Sequence, residues 1–436
     1  MTTLCANNHG PLKGVKIVDL TTVVMGPFAT QILGDMGADI IKVEAPAGDN
    51  MRWVGPMKNP GMGHIHMHLN RNKRSLVLDL KKPDGLEAIK RLIAQSDALI
   101  YNVRPQAMAR LGLDYASVKV VNEKIVYVGA YGFSERGSFA GKPAYDDLIQ
   151  GAAGVPALTL AQGGDVPRYA PVTLGDRSVG LQTVIATVGA LFHAMRTGQG
   201  QSVDVTMFES LSQFVLGDHM GGKTFVPPIG DAGYARLLAP DRRPYATADG
   251  YLCVLIYNDK HWINFFDAID RRDLKSDPRF CDHTSRAANI RDVYAFVAEI
   301  MLTRTTAEWR ELLERADIPN MPMHTIDSLI EDTHLNGSGF FPQYEHPTEG
   351  TVRTTAPVGE WSESPLSIRR LAPRLGEHSH EVLRELGYND ARIAELAADG
   401  VTNGRYHKLK LYIQRGFRST NARKRSPVLV FVIPHH

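Results

Sequence analysis

The chain has 436 residues, 43% hydrophobic and 22% charged, with a net charge of +2 at neutral pH. That length suits two domains and that composition an ordinary globular enzyme. The near-neutral balance supplies no whole-molecule field for nucleic acid, and no run of about eighteen apolar residues is read as able to span a bilayer, so both classes are excluded on this reading. Cys5, Cys253 and Cys281 are scattered and without metal spacing, and they read as reduced thiols. The start, MTTLCANNHG, has no apolar signal core, so the expected location is the cytoplasm.

In chain order, 15–20 (VKIVDL) reads as a strand, 27–36 as a helix and 39–44 (DIIKVE) as a second strand, a parallel βαβ unit opening an α/β domain. The connecting loop MGP, Met25 to Pro27, lacks the G-x-G-x-x-G fingerprint, and NAD binding loses its main support. His64, His66 and His68 alternate in GHIHMHL and share one face if the segment is extended. With no carboxylate or thiolate partner nearby, no metal is expected there. NRNKRSLVLDL (70–80) sets Arg71, Lys73 and Arg74 before an alternating strand, with Lys81 and Lys82 after it. Two readings stay open for this cluster, a solvated basic loop and a phosphate site.

The segment 84–95 reads as an amphipathic helix and 97–101 (DALIY) as a strand that empties into NVRPQAMARLGLD. Asn102, Arg104 and Arg110 thus follow a strand's C-terminal end. Ligands of open α/β sheets sit at such ends, which makes the two arginines phosphate candidates. The next strand is 125–131 (IVYVGAY), and GFSERGSFAGKPAYDD leads into a helix starting near Asp146.

The organising stretch is 171–210. Gly175 and Asp176 open a helix in which Leu181, Val184, Ile185, Val188, Leu191 and Phe192 recur at three- and four-residue steps, which predicts one buried face. Gly198 and Gly200 stop it, and a strand over 202–207 follows. Asp176 lies at the N-terminal end of this helix, where unpaired N–H groups and the helix dipole favour negative charge. It reads either as a helix N-cap or as a carboxylate nucleophile, kept ionised at neutral pH and presented beside glycine.

Strand and helix alternate as far as Phe208, which predicts the first part of a large doubly wound domain over 1–217. The Gly- and Pro-rich 218–235 reads as a linker. A smaller α+β domain is expected over 236–325, opening on a hairpin-like stretch with its turn at Asp249-Gly250. The segment 326–402 is read as a return linker and the completion of the large domain. The tail, 403–436, holds eight Lys or Arg and no acidic residue and reads as a poorly ordered extension.

Taken together, 12–44 (LKGVKIVDLTTVVMGPFATQILGDMGADIIKVE), NRNKRSLVLDLKKPDG, Arg104-Pro105, Ala109-Arg110-Leu111-Gly112, and LGDRSVG followed by RTGQGQSVDVTMFES resemble the class III CoA-transferases, the formyl-CoA and carnitine CoA-transferase group. The resemblance runs in order from about residue 12 to 402. It implies a Rossmann-like large domain interrupted by the smaller α+β domain, in a homodimer whose chains interlock like rings. It carries the catalytic aspartate onto Asp176. It carries the CoA contacts onto Val24 and Met25, onto Leu78, Asp79, Leu80 and Lys81, onto Asn102, Val103 and Arg104, onto Arg110, and around Lys142 and Tyr145. Ala45 stands where the formyl-CoA enzymes have an arginine, so that phosphate contact is missing or supplied elsewhere.

The activity implied is transfer of CoA from an acyl-CoA, succinyl-CoA among the donors, to a small carboxylic acid through covalent aspartyl intermediates. CoA thioester is then the substrate, with no permanently bound cofactor, no metal, and neither nucleic acid nor membrane as partner. Nothing between Gly217 and Gly250 reproduces the glycine run of formyl-CoA transferases, so formate and oxalate are disfavoured. The α-methylacyl-CoA racemases place a histidine base where Tyr145 stands before Asp146. Tyrosine is a poor general base at neutral pH, which sets a racemase or acyl-CoA isomerase second. The remaining alternative is a non-catalytic CoA-binding protein in which Asp176 is only a cap.

Overall fold

The first half of the chain builds one parallel sheet in a computed structural model that describes residues 2–403. Strand β1 (Lys16–Leu20) leads through α1 (Met25–Asp35) to β2 (Asp39–Glu44), and α2 (His64–Leu69) precedes β3 (Lys73–Val77). Helix α3 (Pro83–Ala94) crosses to β4 (Ala98–Tyr101), and α4 (Pro105–Arg110) with α5 (Tyr115–Val121) connects to β5 (Val126–Tyr131). Between β5 and β6 (Gln201–Thr206) come α6 (Asp146–Ala152), α7 (Val155–Ala161) and the 24-residue α8 (Leu174–Thr197), and α9 (Met207–His219) follows β6.

All six strands are parallel, in the order β3-β2-β1-β4-β5-β6. The chain winds outward from β1 in one direction and then returns to wind outward from β4 in the other. The neighbours β1 and β4 therefore flank a topological switch point, where the loops at the strands' C-terminal ends diverge and leave a crevice. Both faces of the central strands are covered, which is why β1, β2, β4 and β5 are rich in apolar residues, while the edge strands β3 (KRSLV) and β6 (QSVDVT) are more polar. Val18, Ile41, Leu76 and Leu99 point to a core shared with α3 and α5, and Ile17, Ile40, Ala98 and Ile100 to the opposite core under α1 and α8. This is the strand period of two applied to consecutive residues.

The second half adds a separate apolar core, in which Trp262, Phe265, Phe266, Phe280 and Trp309 pack beside a three-stranded sheet. That sheet is β7 (Tyr245–Ala246), β8 (Tyr251–Val254) and β9 (Asn320–Pro322), and the turn between β7 and β8 contains Asp249-Gly250. Its helices are α10 (Asp259–Ala268), α11 (His283–Ala288), α12 (Ile290–Met301) and α13 (Thr306–Arg315). After α14 (Ile326–Ile330), α15 (Thr333–Gly337) and the hairpin β10 (Gln343–His346)–β11 (Gly350–Arg353), the chain returns to the first sheet. There α16 (Ser379–Glu385) and α17 (Asp390–Ala398) bring Val382, Leu383, Ile393 and Leu396 into the core with α3. Apart from Asn403, the basic tail lies outside the described residues.

Several local expectations change. Met25 to Pro27 is the first turn of α1 rather than a loop, and Met207 opens α9 rather than closing a strand. GHIHMHL is not extended: His64 to Leu69 form a helix, and His66 is buried with its ring nitrogens on the Pro373 carbonyl and the Asn70 amide. The face expected to bury α8 is largely open, with Leu181 50%, Ile185 71% and Phe192 60% exposed. Of that set Leu191 is buried, and beside it the helix lays Val179, Gly180, Thr183, Thr187 and Ala190 inward. A Cβ on Gly180 would meet the Phe28 ring at 2.9 Å and the Met25 carbonyl oxygen at 3.0 Å, so glycine is what lets α8 lie against α1.

Helix α8 is also the one described helix long and apolar enough, by length and composition, to cross a membrane, with an 18-residue window of mean hydropathy 1.4. The sequence reading counts no such run. Here the helix lies along β5 and β6 and against α1 and α9, as part of the layered core.

Candidate active site

The basic cluster of NRNKRS is the first site expectation to fall. Lys73 is fully buried and donates to Asp19 on β1 at 3.1 Å, to Thr30 at 2.7 Å and to Asn70 at 3.0 Å. Burial pushes its ammonium down to about 8 against the pull of Asp19. Arg71 pairs with Asp35 at 2.7 Å, and Arg74 bridges Asp39, Glu381 and Glu385. These cations neutralise carboxylates inside the fold, so neither a solvated loop nor a phosphate site describes them.

The other candidates gather along the C-terminal edge of the sheet. After β1, Val24 and Met25 are 6% and 4% exposed, so to a ligand they offer mainly backbone. After β4, Asn102 bridges to Thr22 with two hydrogen bonds and so ties the two loops that flank the switch point. Arg104 reaches across to the Gly141 carbonyl at 3.2 Å, beside Lys142, whose ammonium sits 4.3 Å from the centre of the Phe139 ring. The loops after β4 and β5 thereby bring Arg104 close to Lys142, both exposed and both cationic.

Val103 is half-buried, while Arg110 at the end of α4 and Tyr145 ahead of α6 are exposed. Leu78 to Lys81 follow β3 on the same edge, where Leu78 is buried, Asp79 and Leu80 are half-buried and Lys81 is exposed. Asp79 is tied to the returning chain through its N–H and the Val401 carbonyl at 2.8 Å. A cavity of about 360 Å³ between α2 and β10–β11, lined by Lys58, His64, Met67, His68 and Arg353, takes in none of these residues.

Asp176 is the third residue of α8, inside its first turn; the N-cap position belongs to Thr173, whose side chain makes no capping bond. The cap reading of Asp176 is therefore corrected. So is the expectation of a carboxylate kept ionised by the helix end: burial, and next the charge of Asp146, push Asp176 up to about 7, with Arg177 opposing. A dipole effect confined to a helix's first turn is the smaller influence once water is removed from the group. The Asp176 N–H donates to Asp146 Oδ1 at 2.9 Å. A Cβ on Gly175 would sit 3.1 Å from the same oxygen, which explains the glycine beside the aspartate.

Three residues escaped sequence reasoning. Gln150 donates to Asp146 Oδ2 at 2.6 Å, and its spacing of four from Asp146 on a helix was the available signal. Arg177 lies 4.5 Å from the centre of the Phe28 ring, pinning the start of α8 to α1. Asp49 accepts the Val23 N–H with both oxygens at 3.2 Å and also accepts from Lys42 at 3.2 Å. Val23 has φ 69°, rare for a β-branched residue, and this buried clamp holds it so just before α1. No local spacing announces Asp49.

A doubly wound parallel sheet with a switch point between β1 and β4, exposed cations in the loops after β4 and β5, and a half-buried carboxylate at the start of α8 define an α/β protein of the ligand-binding, doubly wound class. The chain belongs to CoA-transferase family III, which residues 12–379 match. It is 32% identical over 393 residues to the succinate–glutarate CoA-transferase of Agrobacterium fabrum, covering 87% of this chain and 96% of that one. It is 29% identical over 402 residues to the human succinyl-CoA:glutarate CoA-transferase, covering 91% of each. A crystal structure of a CAIB/BAIF family protein from Brucella suis matches with a TM-score of 0.74 at 29% identity, over 87% of this chain and 100% of that one. The chain is accordingly an enzyme that transfers CoA between an acyl-CoA thioester and a carboxylic acid.

Proposed function

We propose that this enzyme moves CoA from succinyl-CoA to a small carboxylic acid through covalent intermediates on Asp176, with glutarate and acids of similar length the first acceptors to try. The observation that carries the reading is the Asp176 carboxylate: it is half-buried in the first turn of α8, and its titration is moved to about 7. The names of the relatives support the donor and the acceptor class.

In this mechanism an Asp176 oxygen attacks the thioester carbonyl carbon, and the C–S bond breaks to give an acyl-aspartyl anhydride and CoA thiolate. The thiolate attacks the aspartyl carbonyl, releasing the donor acid as its carboxylate and leaving CoA on Asp176. The acceptor carboxylate attacks that thioester and expels the thiolate again. Attack of the thiolate on the acceptor's acyl carbon then gives the new acyl-CoA and frees Asp176. Each step exchanges one carboxylate or thiolate for another, so no proton is transferred. Water must be kept from the anhydride while it exists. Arg104, Arg110, Lys142 and Lys81 are the cations assigned to the phosphates of CoA, with the backbone of Val24, Met25 and Leu78 and the side chains of Asp79, Leu80, Asn102, Val103 and Tyr145 along its channel.

The working assembly in this reading is an interlocked homodimer, supported by the apolar surface that Leu181, Ile185, Phe192 and Met195 leave exposed on α8. The division into a large unit (1–217 and 326–402) and a small one (236–325) is supported by their separate apolar cores. A cytoplasmic location suits the three free cysteines.

The test is mass spectrometry of enzyme incubated with succinyl-CoA and a panel of acids, followed by hydroxylamine, on wild type and Asp176→Asn. A hydroxamate on Asp176 with CoA appearing on one acid is the expected result. Full transfer activity in Asp176→Asn would sink the mechanism.

A further inference from the structure

The turn that carries Asp176 is held from outside its own helix. The first N–H groups of a helix lack partners within it, and a side chain at the N-cap ordinarily supplies one. Thr173 stands there and supplies none. The Asp176 N–H is taken instead by Asp146 Oδ1, a residue of α6 only 9% exposed. The second oxygen, Oδ2, accepts from Gln150. Gln150 Oε1 accepts the Ala170 N–H at 2.8 Å, and Gln150 Nε2 also donates to the Val172 carbonyl at 3.3 Å, both in the approach to α8. One carboxylate and one amide thus fasten α6, the 170–172 segment and the first turn of α8 into a single unit.

We propose that Asp146, held by Gln150, is a positioning residue for CoA transfer: it fixes the turn that presents Asp176 and makes the Asp176 carboxylate a stronger nucleophile. The proposal rests on the reading of Asp176 as the nucleophile. Both Asp146 oxygens accept hydrogen bonds, so the group next to Asp176 is an acceptor that meets a second carboxylate with repulsion. Among the described residues, the charged groups acting on Asp176 are Asp146 from α6 and Arg177 from its own helix; α1, α9 and β6 bring none to it. A carboxylate at the ordinary value is fully ionised at neutral pH but a weak nucleophile. One titrating near ambient pH keeps about half its population ionised and gains nucleophilicity with its basicity, as attacking thiols do. Asp146 therefore places the nucleophile through its hydrogen bond to the Asp176 N–H, and its charge adds to the basicity that burial already gives the Asp176 carboxylate.

The decisive variants are Asp146→Asn and the double variant Asp146→Asn/Gln150→Glu, assayed for kcat and kcat/KM against pH with succinyl-CoA and the best acceptor acid. Asp146→Asn keeps the shape, removes the charge and sets two N–H donors against each other at Gln150. Its acid limb is expected to move down by about one pH unit. Above that limb, its kcat is expected to fall by about 10- to 100-fold, through lost position and lost basicity. The double variant gives the asparagine and the Ala170 N–H an acceptor again, leaves the Val172 carbonyl without its donor, and returns the charge farther from Asp176. It recovers at least about tenfold in kcat, while its acid limb stays below that of wild type. If Asp146→Asn does not fold, Gln150→Met is the substitute, with kcat down and the limb unmoved.

Wild-type kcat and an unmoved limb in Asp146→Asn, or in its place wild-type kcat in Gln150→Met, with Asp176→Asn inactive, would overturn the proposal and leave the nucleophile standing. An active Asp176→Asn removes both.

Discussion

Asn102 and Thr22 exchange two hydrogen bonds: Asn102 Oδ1 accepts the Thr22 N–H at 2.9 Å, and Asn102 Nδ2 donates to the Thr22 carbonyl at 2.7 Å. The two residues follow β4 and β1, so this pair closes the base of the crevice at the point where the sheet reverses its winding.

Asn102→Ala removes both bonds and leaves Thr22, which is exposed, to water. At about 1 kcal/mol per net hydrogen bond, the KM for the CoA thioester should rise by about 5- to 30-fold with kcat changed much less. Asn102→Asp keeps an acceptor for the Thr22 N–H but sets a carboxylate oxygen against the Thr22 carbonyl and a negative charge beside the anionic thioester, so its KM should rise at least as far as that of Asn102→Ala. Steady-state kinetics on the three proteins decide this, and an Asn102→Ala enzyme with unchanged KM would show that the loops hold their spacing without the pair.

Asp176 binds a proton more tightly in the folded chain than in the unfolded one, because burial and Asp146 raise its titration to about 7. Between about pH 4 and 7 the native state therefore holds the extra proton, and stability attributable to this group falls as pH rises across that window. Above pH 7 the ionised carboxylate costs about 2–4 kcal/mol relative to a neutral side chain of the same shape. Asp176→Asn should then melt several degrees above wild type at pH 8, with the gap closing toward pH 4. Differential scanning calorimetry at both pH values measures it, and a pH-independent gap would mean that the group titrates normally.

The exposed apolar stripe of α8 should be covered in solution by a second copy of the chain. Ile185 is 71% exposed at its middle. Ile185→Asp places a charge there, with little cost to a monomer in which that side chain meets water. Light scattering should find wild type at twice the chain mass and the variant at the chain mass. A wild type that runs as a monomer at micromolar concentration would remove the interface.

The spacing of apolar residues was enough to read β1, β2, β4 and β5, the long helix behind Asp176 and the hairpin at Asp249-Gly250, because strand and helix periods are local properties of the chain. The motifs around LGDRSVG and NRNKRS were enough for the family. Partnership was decided by the tertiary structure. Arg71, Lys73 and Arg74 read in sequence as a solvated loop or a phosphate site, yet they face Asp35, Asp19 and Asp39, residues made neighbours only when β3 docks beside β2 under α1. Helix α8 carries apolar residues on more than one face, and Gly180 against Phe28 and Met25 selects the face that turns inward. The charge of Asp176 likewise depends on its burial and next on Asp146, thirty residues earlier in the chain. Periodicity is set by each segment's own residues, whereas burial and ion pairing depend on which distant segments arrive, and that is why the place of Asp176 at a helix start was legible and its electrostatics were not.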